Sequence, residues 1–159
     1  MPAAQPARPG RVEVDAETWS TLQWALHATT RLLGTVSVLV GALIALGGAA
    51  RLAAPAYTVQ AQVPAATAVW GGLLILAGIL TVVGSLADRV PSGRKLAAAG
   101  LLAQALTTAV FGIGFVLAAG QEHPPPGAPH VAPLTGIGTW LGWSVHAATY
   151  GLLTTVVRR

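Results

Sequence analysis

Charge, or the lack of it, constrains this chain most. No Asp, Glu, Lys or Arg falls between Arg31 and Arg51, between Arg51 and Asp88, between Lys95 and Glu122, or between Glu122 and Arg158. Leu, Val, Ile, Ala and Gly fill these intervals, and 53% of the 159 residues are apolar against 9% charged. An ionised side chain in hydrocarbon is costly, so uncharged apolar runs of this length read as bilayer spans and not as the core of a water-soluble domain. The expected fold is all-α: an integral membrane four-helix bundle with a disordered N-terminus.

Residues 1–14 are rich in Pro, Ala and Arg without periodicity and read as a disordered tail. Asp15 is placed to cap a helix on which Trp19, Leu22 and Leu26 recur at three and four residues. Residues 15–31 then form either a separate helix at headgroup level or the first turns of the first span. The first span is 32–50, roughly 29 Å at about 1.5 Å per residue, just enough to cross. It follows a long polar leader and exceeds a signal-peptide core, so it is expected to stay attached. A loop at 52–64, with Pro55, Pro64 and Tyr57 as an interfacial anchor, leads to the second span, 65–86, with Trp70 near its start. Asp88, Arg89 and the run Pro91–Lys95 read as a polar turn before the third span, 96–119. A proline-rich loop separates that span from the fourth, 134–157. Together, 32–157 form one transmembrane domain.

The basic residues set the orientation. Arg8, Arg11 and Arg31 precede the first span, Arg89, Arg94 and Lys95 lie between the second and third, and Arg158 and Arg159 follow the fourth. Eight of the nine Lys and Arg therefore fall on one side. The positive-inside rule makes this a multi-pass protein of the cytoplasmic membrane with both termini cytoplasmic. An even number of spans demands the same. The net charge of +4 fits attraction to anionic headgroups. Dispersed over short segments, it builds no face for nucleic acid. The lipid bilayer is the expected partner.

Lipid gives no hydrophobic drive for helices to associate, so close approach through small residues has to hold a bundle together. Gly34, Gly41 and Gly48 recur at seven-residue intervals on the first span; Gly71, Gly78 and Ser85 do so on the second, and Gly100, Thr107 and Gly114 on the third. On the fourth, Gly138 and Gly142 form a GxxxG pair, and His146 continues the row one turn on. Such stripes serve packing inside one monomer or faces of a homo-oligomer, and both uses stay open.

His146 is the only ionisable side chain placed in the middle of a span. Antiparallel packing sets Thr107 and Thr108 at its depth, Gln104 one turn toward the cytoplasm and Thr149 on its own helix. An intramembrane polar cluster of His146, Thr149, Thr107, Thr108 and Gln104 is expected, as a structural clamp or as a proton-sensing or permeation site. His27 is expected to be interfacial. Glu122, His123 and His130 lack the spacing of a defined zinc motif, so no metal site is expected. The absence of Cys excludes disulfides and thiolate chemistry. No span carries a carboxylate for proton-coupled export or an Arg or Lys for voltage sensing. Nothing pairs a nucleophile with a base or precedes a helix as a phosphate loop. No enzyme activity, cofactor or small-molecule substrate is expected.

One Lys against eight Arg, with no Asn, fits a high-GC coding genome. The run Ala54-Pro55-Ala56-Tyr57, then Val63-Pro64, Val69-Trp70-Gly71-Gly72, Gly78 and Gly84, followed by the basic turn and Lys95–Leu101, resembles small four-span membrane proteins of phages of high-GC Gram-positive bacteria. These are called holins or holin-like, and many are encoded near lysis genes. The resemblance covers roughly 32–150 and implies accumulation in the cytoplasmic membrane, lateral self-association and permeabilisation during host lysis. With Met1 the only Met, a second start producing an inhibitor form is not expected. A weaker resemblance, to DoxX-type four-span proteins, implies a monomeric accessory or structural membrane protein instead.

Overall fold

The computed structural model describes residues 15–48, 52, 57–119 and 133–156. The expectations for the tail at 1–14, for Glu122, His123 and His130, and for Arg51, Arg158 and Arg159 lie outside these residues. The described residues are all-α: α1 (Ala16–Leu46), a short α2 (Thr58–Ala61), α3 (Ala66–Leu86), α4 (Pro91–Ala119) and α5 (Pro133–Val156).

The helix ends follow from local chemistry. Asp15 caps α1, accepting the Thr18 N–H at 2.8 Å and the Thr18 hydroxyl at 2.7 Å. From there α1 runs unbroken for 31 residues, so residues 15–31 are the first turns of one long helix. It stops short of the expected Ala50. The Gly47 N–H returns to the Leu43 carbonyl at 3.0 Å, and Gly48 turns left-handed with φ 63°. Ala65 precedes α3 in the left-handed region, φ 52° and ψ 40°, a conformation that costs a residue with a Cβ about 1 kcal/mol. At the start of α4 the polar turn proves shorter than expected. Pro91 begins the helix, where its fixed φ suits the first helical position and its missing N–H costs nothing. The turn shrinks to Ala87–Val90, closed by Val90 N–H to the Ala87 carbonyl at 3.2 Å. Arg94 and Lys95 thus ride on the first turns of α4.

In space the long helices follow chain order: α1 packs along α3, α3 along α4, and α4 along α5, while α1 only brushes α4 and α5. We call the end holding the start of α1 and the α3–α4 turn the turn end, and the end holding α2 the loop end. The α1–α3 seam is built on glycine. A Cβ on Gly41 would stand 2.6 Å from the Gly71 carbonyl oxygen, and one on Gly78 would stand 2.5 Å from that of Gly34. Midway, the Ser37 hydroxyl donates across to the Leu74 carbonyl at 2.9 Å. The expected stripes of Gly34 with Gly41 and of Gly71 with Gly78 therefore face each other in antiparallel register. Gly48, expected to extend the first stripe, lies beyond the helix with nothing within 4 Å of its Cβ position.

Gly100 packs on the Ala77 carbonyl and Thr81 of α3, and Gly84 closes the crossing near the turn against Gly93 and Ala97. Gly114 is buried on α4. Between α4 and α5 glycine meets mainly side chains: Gly112 lies under Leu141, and Gly136 under the Phe115 ring.

Burial departs from what water selects, since polar side chains share the interior with Phe111, Phe115, Leu74 and Leu101 while large apolar ones stay outside. Gln60, Gln104, Thr30, Thr81, Thr108 and Ser37 are among the largest wholly shielded side chains, while Leu46 is 88% exposed and Leu106 72%. Three helices, α1, α3 and α4, are long and apolar enough to cross a membrane. With its 24 residues α5 has the length; Gly, Thr, Trp and His dilute its apolar content.

Candidate functional site

Polar groups inside the bundle form a short ladder between α3 and α4. Gln104 Nε2 donates to Thr81 Oγ1 at 2.8 Å, and Thr81 passes its own proton to the Ala77 carbonyl at 2.8 Å. Thr108 donates to the Gln104 carbonyl at 2.8 Å, and Thr107 to the Ala103 carbonyl at 2.8 Å. Gln104, Thr107 and Thr108 are thus interior, but Gln104 is engaged with α3 and not with α5. Thr81 is the partner that sequence reasoning missed. Nothing in its surroundings marks it out beyond a hydroxyl in an apolar helix.

The expected cluster around His146 does not form. His146 and Thr149 are exposed. The His146 ring satisfies Nδ1 within its own helix, 2.7 Å from the Gly142 carbonyl, and Thr149 donates to the Val145 carbonyl at 2.8 Å. The reason is the roll of α5 about its axis. Gly136, Trp140, Ser144, Ala147 and Gly151 make the inward face. Ser144 donates to the Ala105 carbonyl at 2.8 Å, Ala147 is fully buried, and Trp140 stacks on Phe111 at 4.6 Å between centroids. At about 100° per residue, Gly138, Gly142, Val145, His146 and Thr149 come out on the opposite side. A Cβ on Gly138 or Gly142 would meet nothing within 4 Å. The GxxxG pair, expected as a packing contact, has no partner inside this chain. Packing the half-buried Trp140 and Trp143 rings against the core outweighs the close approach that glycine would have allowed.

The loop end is sealed by aromatic rings. Phe111 sits at their centre, stacked with Trp140 and edge-on to Tyr57 and Trp70, each at 5.7 Å. Tyr57 also meets Phe115 edge-on at 5.3 Å. Tyr57, half-buried, thus packs into the ring cluster at this end; burial pushes its phenol upward from the usual tyrosine value, partly offset by a hydrogen bond with Trp140. Gln60 braces this cluster, donating from Nε2 to the Val110 carbonyl at 2.8 Å and accepting the Trp70 indole N–H on its backbone carbonyl at 3.0 Å. The signal for this cluster lies in the spacing of Phe111 with Phe115 and of Trp140 with Trp143.

The turn end is polar. His27 Nε2 lies 3.1 Å from Asp88 Oδ2, and the Arg31 guanidinium reaches the Ser85 carbonyl at 3.5 Å. His27, expected to be merely interfacial, ties α1 to the α3–α4 turn. Among the described residues no three His, Asp or Glu side chains gather as metal ligands would. No family model, curated protein or solved structure matches the chain.

Proposed function

We propose that this is a four-span protein of the cytoplasmic membrane, with the turn end and both termini cytoplasmic, that self-associates laterally and permeabilises the bilayer in the manner of holin-like proteins, without enzymatic activity. The outward face of α5 carries this reading. Gly138 and Gly142 offer a groove that nothing in the monomer fills, and the His146 ring beside them faces outward, where lipid gives a polar nitrogen no partner. A second copy of α5 on this face gives the backbones close approach and the imidazole a polar neighbour. The outward leucines and the interior threonines and glutamines agree with lipid as the surrounding medium.

A second reading, a monomeric accessory protein, is favoured by the seam and the aromatic plug, which complete a bundle without any partner. Controlled expression in a bacterial host with a potential-sensitive dye separates the two. Abrupt loss of membrane potential at a set time, abolished by Gly138→Leu with Gly142→Leu, supports permeabilisation. Indefinite growth with an intact potential supports the accessory role.

A further inference from the structure

At the turn end, α1, α3, the start of α4 and the last turns of α5 enclose a narrow crevice of about 40 Å³, open at its mouth. Gln23, His27, Thr30, Asp88, Arg94 and Thr154 put polar groups on its wall. Beside it runs an open groove of about 240 Å³ between α1 and α5, faced by Trp19, Leu22, Leu26, Tyr150 and Leu153. Gln23 and Leu26 line both. The two adjoin across these residues, the crevice polar at its back and the groove apolar along its flank, in the cleft left where α1 and α5 hardly touch.

Thr30 shows what the back wall lacks. It is 1% exposed, and its Oγ1 has no hydrogen-bond partner. Thr35, Thr81, Thr107 and Thr108 all return their hydroxyls to the carbonyl one turn back; Thr30 does not. A buried hydroxyl left unmade is penalised, so an oxygen atom supplied from outside would relieve it. Among the described residues, the charged and titratable groups facing this space are His27 from α1, Asp88 from the α3–α4 turn, Arg94 from α4 and, along the groove, Tyr150 from α5. His27 and Asp88 are engaged with each other, which leaves Arg94, half-buried, as the cation presented to a ligand.

We propose that this recess binds one anionic phospholipid, its phosphate against Arg94 and the Thr30 hydroxyl and an acyl chain along the α1–α5 groove. A guanidinium and a hydroxyl suit phosphate oxygens, and the apolar flank suits a chain that inorganic phosphate lacks. The proposal rests on the membrane reading above and is independent of self-association.

The test uses the full-length protein in mild detergent, with bound lipid counted by native mass spectrometry. Phosphatidylglycerol, phosphatidylcholine with the same chains, and inorganic phosphate are the three probes. One phosphatidylglycerol is expected to stay bound several-fold better than phosphatidylcholine and to resist displacement by millimolar inorganic phosphate. Arg94→Gln is expected to weaken it about fivefold or more, whereas Arg89→Gln, an exposed residue outside the recess, leaves it unchanged. Thr30→Val keeps the shape and loses only a hydroxyl with no protein partner. It is expected to weaken lipid binding about threefold while lipid-free thermal stability stays level or rises. Equal retention of the two lipids, displacement by inorganic phosphate, or equal effects of Arg94→Gln and Arg89→Gln would overturn the site. A chain that proves soluble without detergent would overturn the membrane reading with it.

Discussion

The α1–α3 seam and the outward face of α5 carry the same kind of pattern, glycine at helical spacing, and put it to opposite use. Along the seam, Gly34 meets Gly78 and Gly41 meets Gly71, with backbone against backbone. On α5, Gly138 and Gly142 face open space, because the ring of Trp140 and the small side chain of Ala147 have taken the inward position. Glycine spacing therefore shows that a groove exists, and competition from the other side chains of the helix decides whether the groove is filled within the chain. A seam of this kind serves folding; an open groove of the same make is available to another molecule.

The contrast can be broken most forcefully by filling each groove in turn. Gly41→Leu drives a side chain into the Gly71 carbonyl and is expected to destabilise the bundle by ~3 kcal/mol or more. Gly142→Leu is expected to stay within about 0.5 kcal/mol of the parent. Unfolding in mixed micelles followed by circular dichroism compares them, and equal losses would erase the distinction. Next in size, Phe111→Ala removes the centre of the aromatic plug, with an expected cost of about 3 kcal/mol in the same assay. Because the Phe111 ring sets the roll of α5, this variant is also expected to change the accessibility of His146 to histidine-modifying reagents. An unchanged modification rate would show that something else fixes the roll. The smallest effect belongs to the lead-in of α3. Ala65→Gly relieves a left-handed alanine and is expected to stabilise by about 1 kcal/mol without altering either groove; a loss of stability would mean the left-handed turn is not retained.

How far the sequence led differs between these regions for physical reasons. The seam is readable because Gly34, Gly41, Gly71 and Gly78 are the small residues that let two apolar helices touch, and antiparallel neighbours joined by one loop have little choice of partner. The roll of α5 is not readable from Gly138 and Gly142, since both of its faces are uncharged and one row of small residues looks inward as well as another. His146 was expected inside on grounds of depth, and depth carries no information about azimuth. The deciding contact is Trp140 on Phe111, with Trp143 stacked behind Trp140 and Phe115 lying over Gly136; the aromatic residues on facing helices are the available signal. His27 and Asp88 met because α1 extends unbroken past the first span. The cap at Asp15 and the helical spacing of Trp19, Leu22 and Leu26 left that length as one of two readings.

Whether the open face of α5 is where copies of this chain meet can be tested by cross-linking, since the chain holds no cysteine of its own. Gly142→Cys adds a thiol where a Cβ meets nothing within 4 Å, and Leu106→Cys places one on the exposed outer side of α4. Under mild oxidation in native membranes, Gly142→Cys is expected to give a disulfide-linked dimer, which needs the two Cα atoms within about 7 Å, and Leu106→Cys is expected to stay monomeric. No dimer at position 142, or equal dimer at both positions, would contradict self-association through α5.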